Sequence, residues 1–137
     1  MISTKSRYGV QAVVDVARHG LQHPVSIRAI ADRQRLPEAY LEQLVGPLRK
    51  AGILRSVRGN QGGYVMANAA DRVTALEVVT ALEGPLKIAS CSCGGRDPDC
   101  LEHSLWRRLE TAMATALADV TIAELVHQAR SEPAYRI

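Results

Sequence analysis

The sequence has no uncharged apolar run approaching the roughly 20 residues that span a bilayer. Its opening stretch carries Lys5 and Arg7, and Gln11 and Asp15 interrupt the apolar residues behind them, so it does not read as a signal-peptide core. A cytoplasmic protein, neither exported nor inserted in a membrane, is expected. Cysteine is scarce, with three in 137 residues, and an odd count in such a chain argues against a disulfide framework. Glycine-rich phosphate loops, HExxH and a nucleophile–base pair are all missing, so the chain does not read as an enzyme. Internal repeats and low-complexity segments are missing too. With 47% apolar residues the chain is not disordered by composition. Its length suits one domain with a real core, or a small domain with an appendage.

What is present is unevenly spread. The formal charge of +3 conceals a division. Residues 1–66 hold ten Lys and Arg against four acids, a net +6, whereas residues 67–137 hold seven bases and ten acids, a net −3. A basic half on a near-neutral chain suggests a polyanion partner.

Apolar periodicity predicts a first helix from Thr4 to His19, striped by Tyr8, Ala12, Val13, Val16 and Ala17, with Gly20 as its C′ residue. Ser26 caps a second helix whose inner face is Ile27, Ile30 and Ala31. Pro37 opens a third, which runs through Leu41, Leu44, Val45 and Leu48 to Lys50. Pro47 should kink that helix or shorten it. Three helices of this kind match helix-turn-helix geometry. Ile53–Val57 and Tyr64–Met66 then read as two strands around the Gly-rich turn 58–63, a hairpin placed as a wing. Thr74…Glu77 and Thr121…Glu124 are capping-box patterns that open a fourth helix and a last short one. Between them lies a long helix from about Leu101 to Leu117, striped by Leu105, Leu109, Ala112, Met113 and Ala116 or Leu117. The fold class expected is mainly α with a small β-hairpin wing.

A recognition helix reads base edges with residues near its N-terminus, here Glu38, Ala39, Glu42 and Gln43. Glutamate accepts from cytosine N4 and glutamine pairs with adenine. Tyr40 and Arg49 suit the core edge or a phosphate. Arg58, Asn60 and Gln61 in the wing can enter a minor groove, and Lys5, Arg7 and Arg28 can meet phosphates. The same residues also suit an ordinary solvated surface, and winged helices also bind proteins.

All three cysteines fall within ten residues, in Cys91-Ser92-Cys93 and then Cys100-Leu101-Glu102-His103. Cys100 and His103 stand one helical turn apart at a helix start, where the helix dipole offsets thiolate charge. Cys91, Cys93, Cys100 and His103 make a four-ligand set for zinc or for an iron–sulfur cluster, and a metal-free thiol–disulfide switch is a third option. His19, His23 and His127 read as surface or connector residues.

Several of these segments together resemble one family, the bacterial iron–sulfur cluster regulators typified by IscR. They are Thr4-Lys5-Ser6-Arg7-Tyr8, Tyr40-Leu41-Glu42-Gln43-Leu44, Leu48-Arg49-Lys50-Ala51-Gly52, Ser56-Val57-Arg58-Gly59 with Gly62-Gly63-Tyr64, and Cys100-Leu101-Glu102-His103-Ser104-Leu105-Trp106. The resemblance covers nearly the whole chain. It implies a homodimeric, redox-, iron- or cluster-sensing regulator on a palindromic double-stranded DNA operator, with Leu105, Leu109, Ala112, Met113 and Ala116 in the dimer interface. It matches Glu42 and Arg58 to a base-reading glutamate and a wing arginine, while Ala39 replaces a polar residue. Cys100 and His103 match the last cysteine and the histidine ligand. The 4Fe–4S relatives use an aspartate where this chain has Tyr8, so the resemblance implies a 2Fe–2S cluster. One departure is plain: the family spaces its cysteines about evenly, whereas Cys91 and Cys93 here are separated by one residue. The organisation expected is a DNA-binding domain over 1–68, a linking helix over 69–85, and a cysteine loop over 86–103. A dimerisation helix with a short last helix follows over 101–130, and then a tail over 131–137. The other readings are a zinc-bound or thiol-switching winged-helix repressor, or an iron–sulfur protein whose winged helix binds protein.

Overall fold

A computed structural model of the chain describes residues 2–88 and 99–131. Cys91, Cys93 and most of the expected cysteine loop and tail lie outside the described residues. Six α-helices and one hairpin are present among the described residues: α1 Thr4–His19, α2 Ile27–Gln34, α3 Glu38–Lys50, β1 Leu54–Val57, β2 Gly63–Met66, α4 Ala75–Glu83, α5 Leu101–Ala118 and α6 Ile122–Ser131. A single 3₁₀ turn at Ala70–Arg72, which no sequence signal announced, leads into α4.

Local chemistry explains most boundaries. Ser3, Ser26, Thr74 and Thr121 each accept a backbone N–H of the first helical turn, from Lys5, Ala29, Glu77 and Glu124 respectively. Both capping-box threonines therefore act where the pattern placed them. Ser3 also donates through its N–H and Oγ to the two carboxylate oxygens of Glu83, at 2.7 and 2.6 Å, pinning the start of α1 to the end of α4. Those bonds hold the Glu83 carboxyl below its ordinary range.

Three details differ from the sequence reading. Gly20 ends α1 with φ −94°, not in the left-handed region, and its N–H donates to Val16 O at 2.7 Å. Pro37 is the N-cap of α3, one position before the helix proper. Pro47 does not shorten α3, which continues to Lys50. The buried side chains of Leu44, Val45 and Leu48 hold that turn against the core despite the missing N–H.

The core is aliphatic, as a chain without phenylalanine requires. Ala12, Val13 and Val16 of α1, Ile30 of α2, and Leu41, Leu44 and Leu48 of α3 are essentially inaccessible. They share a cluster with Val73, with Val78 and Leu82 of α4, and with Ile122 of α6. α1 crosses α4 so closely that a Cβ on Gly9 would overlap Leu82 Cδ1. The start of α6 returns to the start of α4: Ala75 N–H donates to Val120 O and Ile122 N–H to Val73 O, both at 2.8 Å. α5 packs on α4, and Ile88 N–H ties to it by donating to Glu110 Oε1 at 2.9 Å.

Candidate nucleic-acid interface

The helix-turn-helix is braced by one ion pair. Asp15 on α1 has a side chain only 2% exposed. It accepts from Arg33 Nε at 2.9 Å, Arg33 Nη2 at 2.7 Å and Gln34 Nε2 at 3.1 Å. The pair fixes α2 against α1 and so sets the frame from which α3 projects. Sequence reading treated Asp15 as an interruption of an apolar stripe; its spacing from Arg33 carried no local signal.

Along α3, Leu41, Leu44, Val45 and Leu48 turn inward, which leaves Glu38, Ala39, Glu42, Gln43 and Arg49 exposed on the other face. Tyr40 is half-buried, with its ring set edge-on to Tyr8 at 5.9 Å between centroids. Tyr8 in turn lies under the Arg7 guanidinium, 5.8 Å from its ring centre. The position that separates the two cluster types in the family resemblance is thus filled by an aromatic packed at the core edge. Lys5 and Arg28 are exposed.

The wing is antiparallel, with Leu54 opposite Met66 and Val57 opposite Gly63. A third backbone segment joins it: Val25 N–H donates to Tyr64 O at 2.9 Å, and Tyr64 N–H to Val25 O at 2.8 Å. The approach is close enough that a Cβ on Gly63 would overlap the Val25 carbonyl. Leu21–Val25, read from sequence as a plain connector, is therefore the hinge-pin that holds the wing beside α2. Arg58, Asn60 and Gln61 are exposed at the wing turn. Asn60 and Gln61 form one wall of a shallow polar groove whose other side is His19, His23, Ser26 and Arg33. Burial and the Arg33 charge both push the His19 imidazole below its ordinary value.

The cysteine–histidine part is only half described. Cys100 is the N-cap of α5 and His103 lies one turn on, both half-buried. Trp106, on the next turn, has a buried indole N–H with no hydrogen-bond partner among the described residues. No group of three or more His, Cys, Asp or Glu converges as a metal site among the described residues. No described helix is long and apolar enough to cross a membrane.

A helix-turn-helix whose third helix bares a polar face, with a basic hairpin bonded beside it, defines the winged helix-turn-helix class. Comparison with known proteins narrows this: the profile of Rrf2, an iron-dependent transcriptional regulator, matches residues 2–128, and the chain belongs to that family. The chain is 40% identical over 130 residues to the transcriptional regulator IscR of Erwinia tasmaniensis, covering 92% of this chain and 78% of that one. Among solved structures, CymR, the global cysteine regulator of Bacillus subtilis, superposes with a TM-score of 0.82 at 37% identity, covering 93% of this chain and 97% of that one. IscR of T. potens gives 0.79 at 37% identity, covering 100% and 92%. The chain is a DNA-binding transcriptional regulator, not an enzyme.

Proposed function

We propose that this regulator binds a palindromic operator as a homodimer and senses redox, iron or cluster status through an iron–sulfur cluster of the 2Fe–2S type. The observation that carries the dimer is α5. It runs for 18 residues, roughly 27 Å at 1.5 Å per residue, with no buried residue. Leu101, Leu105 and Leu109 are 87%, 54% and 43% exposed, and Ala112 and Ala116 continue the bare stripe. Met113 turns partly inward. An apolar stripe of that length on a lone chain calls for a partner, and a second α5 supplies a matching one. Two-fold symmetry then sets two α3 helices about 34–36 Å apart, one turn of DNA. Glu42 and Gln43 read base edges, Arg58 with Asn60 and Gln61 enters the flanking minor groove, and Lys5, Arg7, Arg28 and Arg49 meet phosphates.

Cys100 and His103 suit the metal centre by donor chemistry, a thiolate and an imidazole one turn apart. The nearby Trp106 N–H, which has no partner among the described residues, is suited to a sulfur acceptor. Cys91 and Cys93 complete the proposed ligand set. An iron–sulfur cluster there supplies a charge and redox state that respond to iron and oxidants. A second reading has its own support: the likeness to a cysteine regulator and the tight Cys91–Cys93 spacing favour a zinc-bound or thiol-switching repressor.

Absorption spectra with iron, sulfide and zinc analysis of protein prepared without oxygen separate the two. A brown protein with iron and acid-labile sulfide, both lost in Cys100→Ala, is expected. Colourless protein with stoichiometric zinc transfers the assignment to the second reading. For the DNA half, Glu42→Ala should change the selected binding-site sequence, and an unchanged preference removes Glu42 from base reading.

A further inference from the structure

We propose that Arg35 is an additional DNA-backbone contact, held at the turn of the helix-turn-helix in spite of an unfavourable backbone. The inference rests on the DNA-reading role of α3 and adds a residue to it. Among the described residues Arg35 is the only non-glycine with positive φ, at φ 56° and ψ 47°. This left-handed conformation crowds the Cβ of an L-residue, and the position ordinarily suits glycine or asparagine. The turn needs the conformation, because it ends α2: Arg35 and Leu36 N–H both donate to Ala31 O. It does not need an arginine.

Nor does the fold use the guanidinium. Arg35 is exposed and makes no side-chain hydrogen bond or ion pair among the described residues. Arg33, two residues earlier, is by contrast held on Asp15. The residue is therefore a local cost to folding with no packing return, a pattern that points to a functional role. Its location supplies one. Only Leu36 and Pro37 separate Arg35 from Glu38, the first residue of α3, so the two Cα atoms, three steps apart, lie at most about 11 Å from each other. An arginine at that distance reaches the phosphates beside the base edges that the first turn of α3 reads. A flexible, fully charged side chain on a turn suits a phosphate, which fixes register and adds affinity without sequence choice.

The test uses the full chain and a duplex that the wild-type protein selects from a random library. Arg35→Gly and Arg35→Asn both tolerate the left-handed backbone and both lack the charge. They should melt no lower than wild type, bind the duplex about tenfold more weakly, and lower the slope of log affinity against log salt by about 1.8, one phosphate contact for each protomer of the dimer. The selected sequence should not change. Arg35→Lys should restore the slope. Neutral variants that keep the wild-type affinity and slope, while Arg58→Ala weakens binding, would overturn the Arg35 contact and leave the DNA reading standing. Equal weakening by Gly, Asn and Lys with an unchanged slope would reduce Arg35 to a structural part of the turn. Failure of the wild type to select any duplex would remove the DNA reading itself, and the Arg35 contact with it.

Discussion

Asp15 gives both carboxylate oxygens to neighbours on another helix, and its side chain is almost wholly withdrawn from water. Asp15→Asn removes the charge and turns one of the two acceptor oxygens into an amide NH2 that faces the Arg33 and Gln34 donors, although Arg33, 38% exposed, regains water. Asp15→Asn should therefore cost about 1–3 kcal/mol, less than breaking a fully buried pair, and urea denaturation checks it. The same corner carries a pH effect. Burial and Arg33 lower the His19 pKa from 6.5 in the fold. The unfolded chain therefore takes up a proton first as pH falls. Stability from this residue is complete above the unfolded value and is lost as pH drops through 6.5 toward the folded one. His19→Gln should flatten that part of the curve when melting temperature is followed between about pH 7.5 and pH 5. Neither role was legible in the sequence. The partners of Asp15 stand eighteen and nineteen residues away, on a helix whose docking angle no local pattern specifies.

At the scale of elements, legibility followed the range of the signal. Capping threonines, the stripe of α1 and the Gly-rich wing turn act within a few residues, and they were read correctly. Pro47 does not shorten α3 as one half of its reading expected, because propensity is local, whereas three buried neighbours decide the helix around it. The pairing of Val25 with Tyr64 spans nearly forty residues and left no trace in the connector's composition. That pairing makes its own prediction. Gly63→Ala places a methyl against the Val25 carbonyl, so it should cost about 1–3 kcal/mol and loosen the wing from α2. Chemical denaturation measures the first effect, and faster amide exchange at Val25 and Tyr64 shows the second. In the candidate site, the exposure of Glu42, Gln43 and Arg58 was legible from α3 periodicity and the hairpin. Arg35 was not, because nothing in Gln34-Arg35-Leu36 announces a left-handed residue.

For the whole molecule, the bare face of α5 is the main unresolved energy. Leu105 and Leu109 stand exposed and outside the buried core among the described residues, so replacing them tests assembly without touching that core. Leu105→Glu combined with Leu109→Glu should leave the circular dichroism spectrum intact and give a monomer in sedimentation. Operator affinity should fall by about 10²-fold or more, since each α3 then binds its half-site alone. A dimer that persists would place the interface elsewhere. The division of charge fits the same picture: +6 on the half that meets phosphates and −3 on the half that holds α5 and the proposed metal ligands.

The return of α6 to the start of α4 has a consequence for synthesis. Ile122, wholly buried, fills the same cluster as Val13, Ile30 and Leu48. A nascent chain that has emerged only as far as the wing therefore lacks part of its own interior. The reading head becomes complete only when α6 leaves the ribosome, after α5 and its proposed ligands have already been made. Competence to hold DNA thus arrives only after α5, and a polypeptide cut short before residue 122 should be unable to occupy an operator.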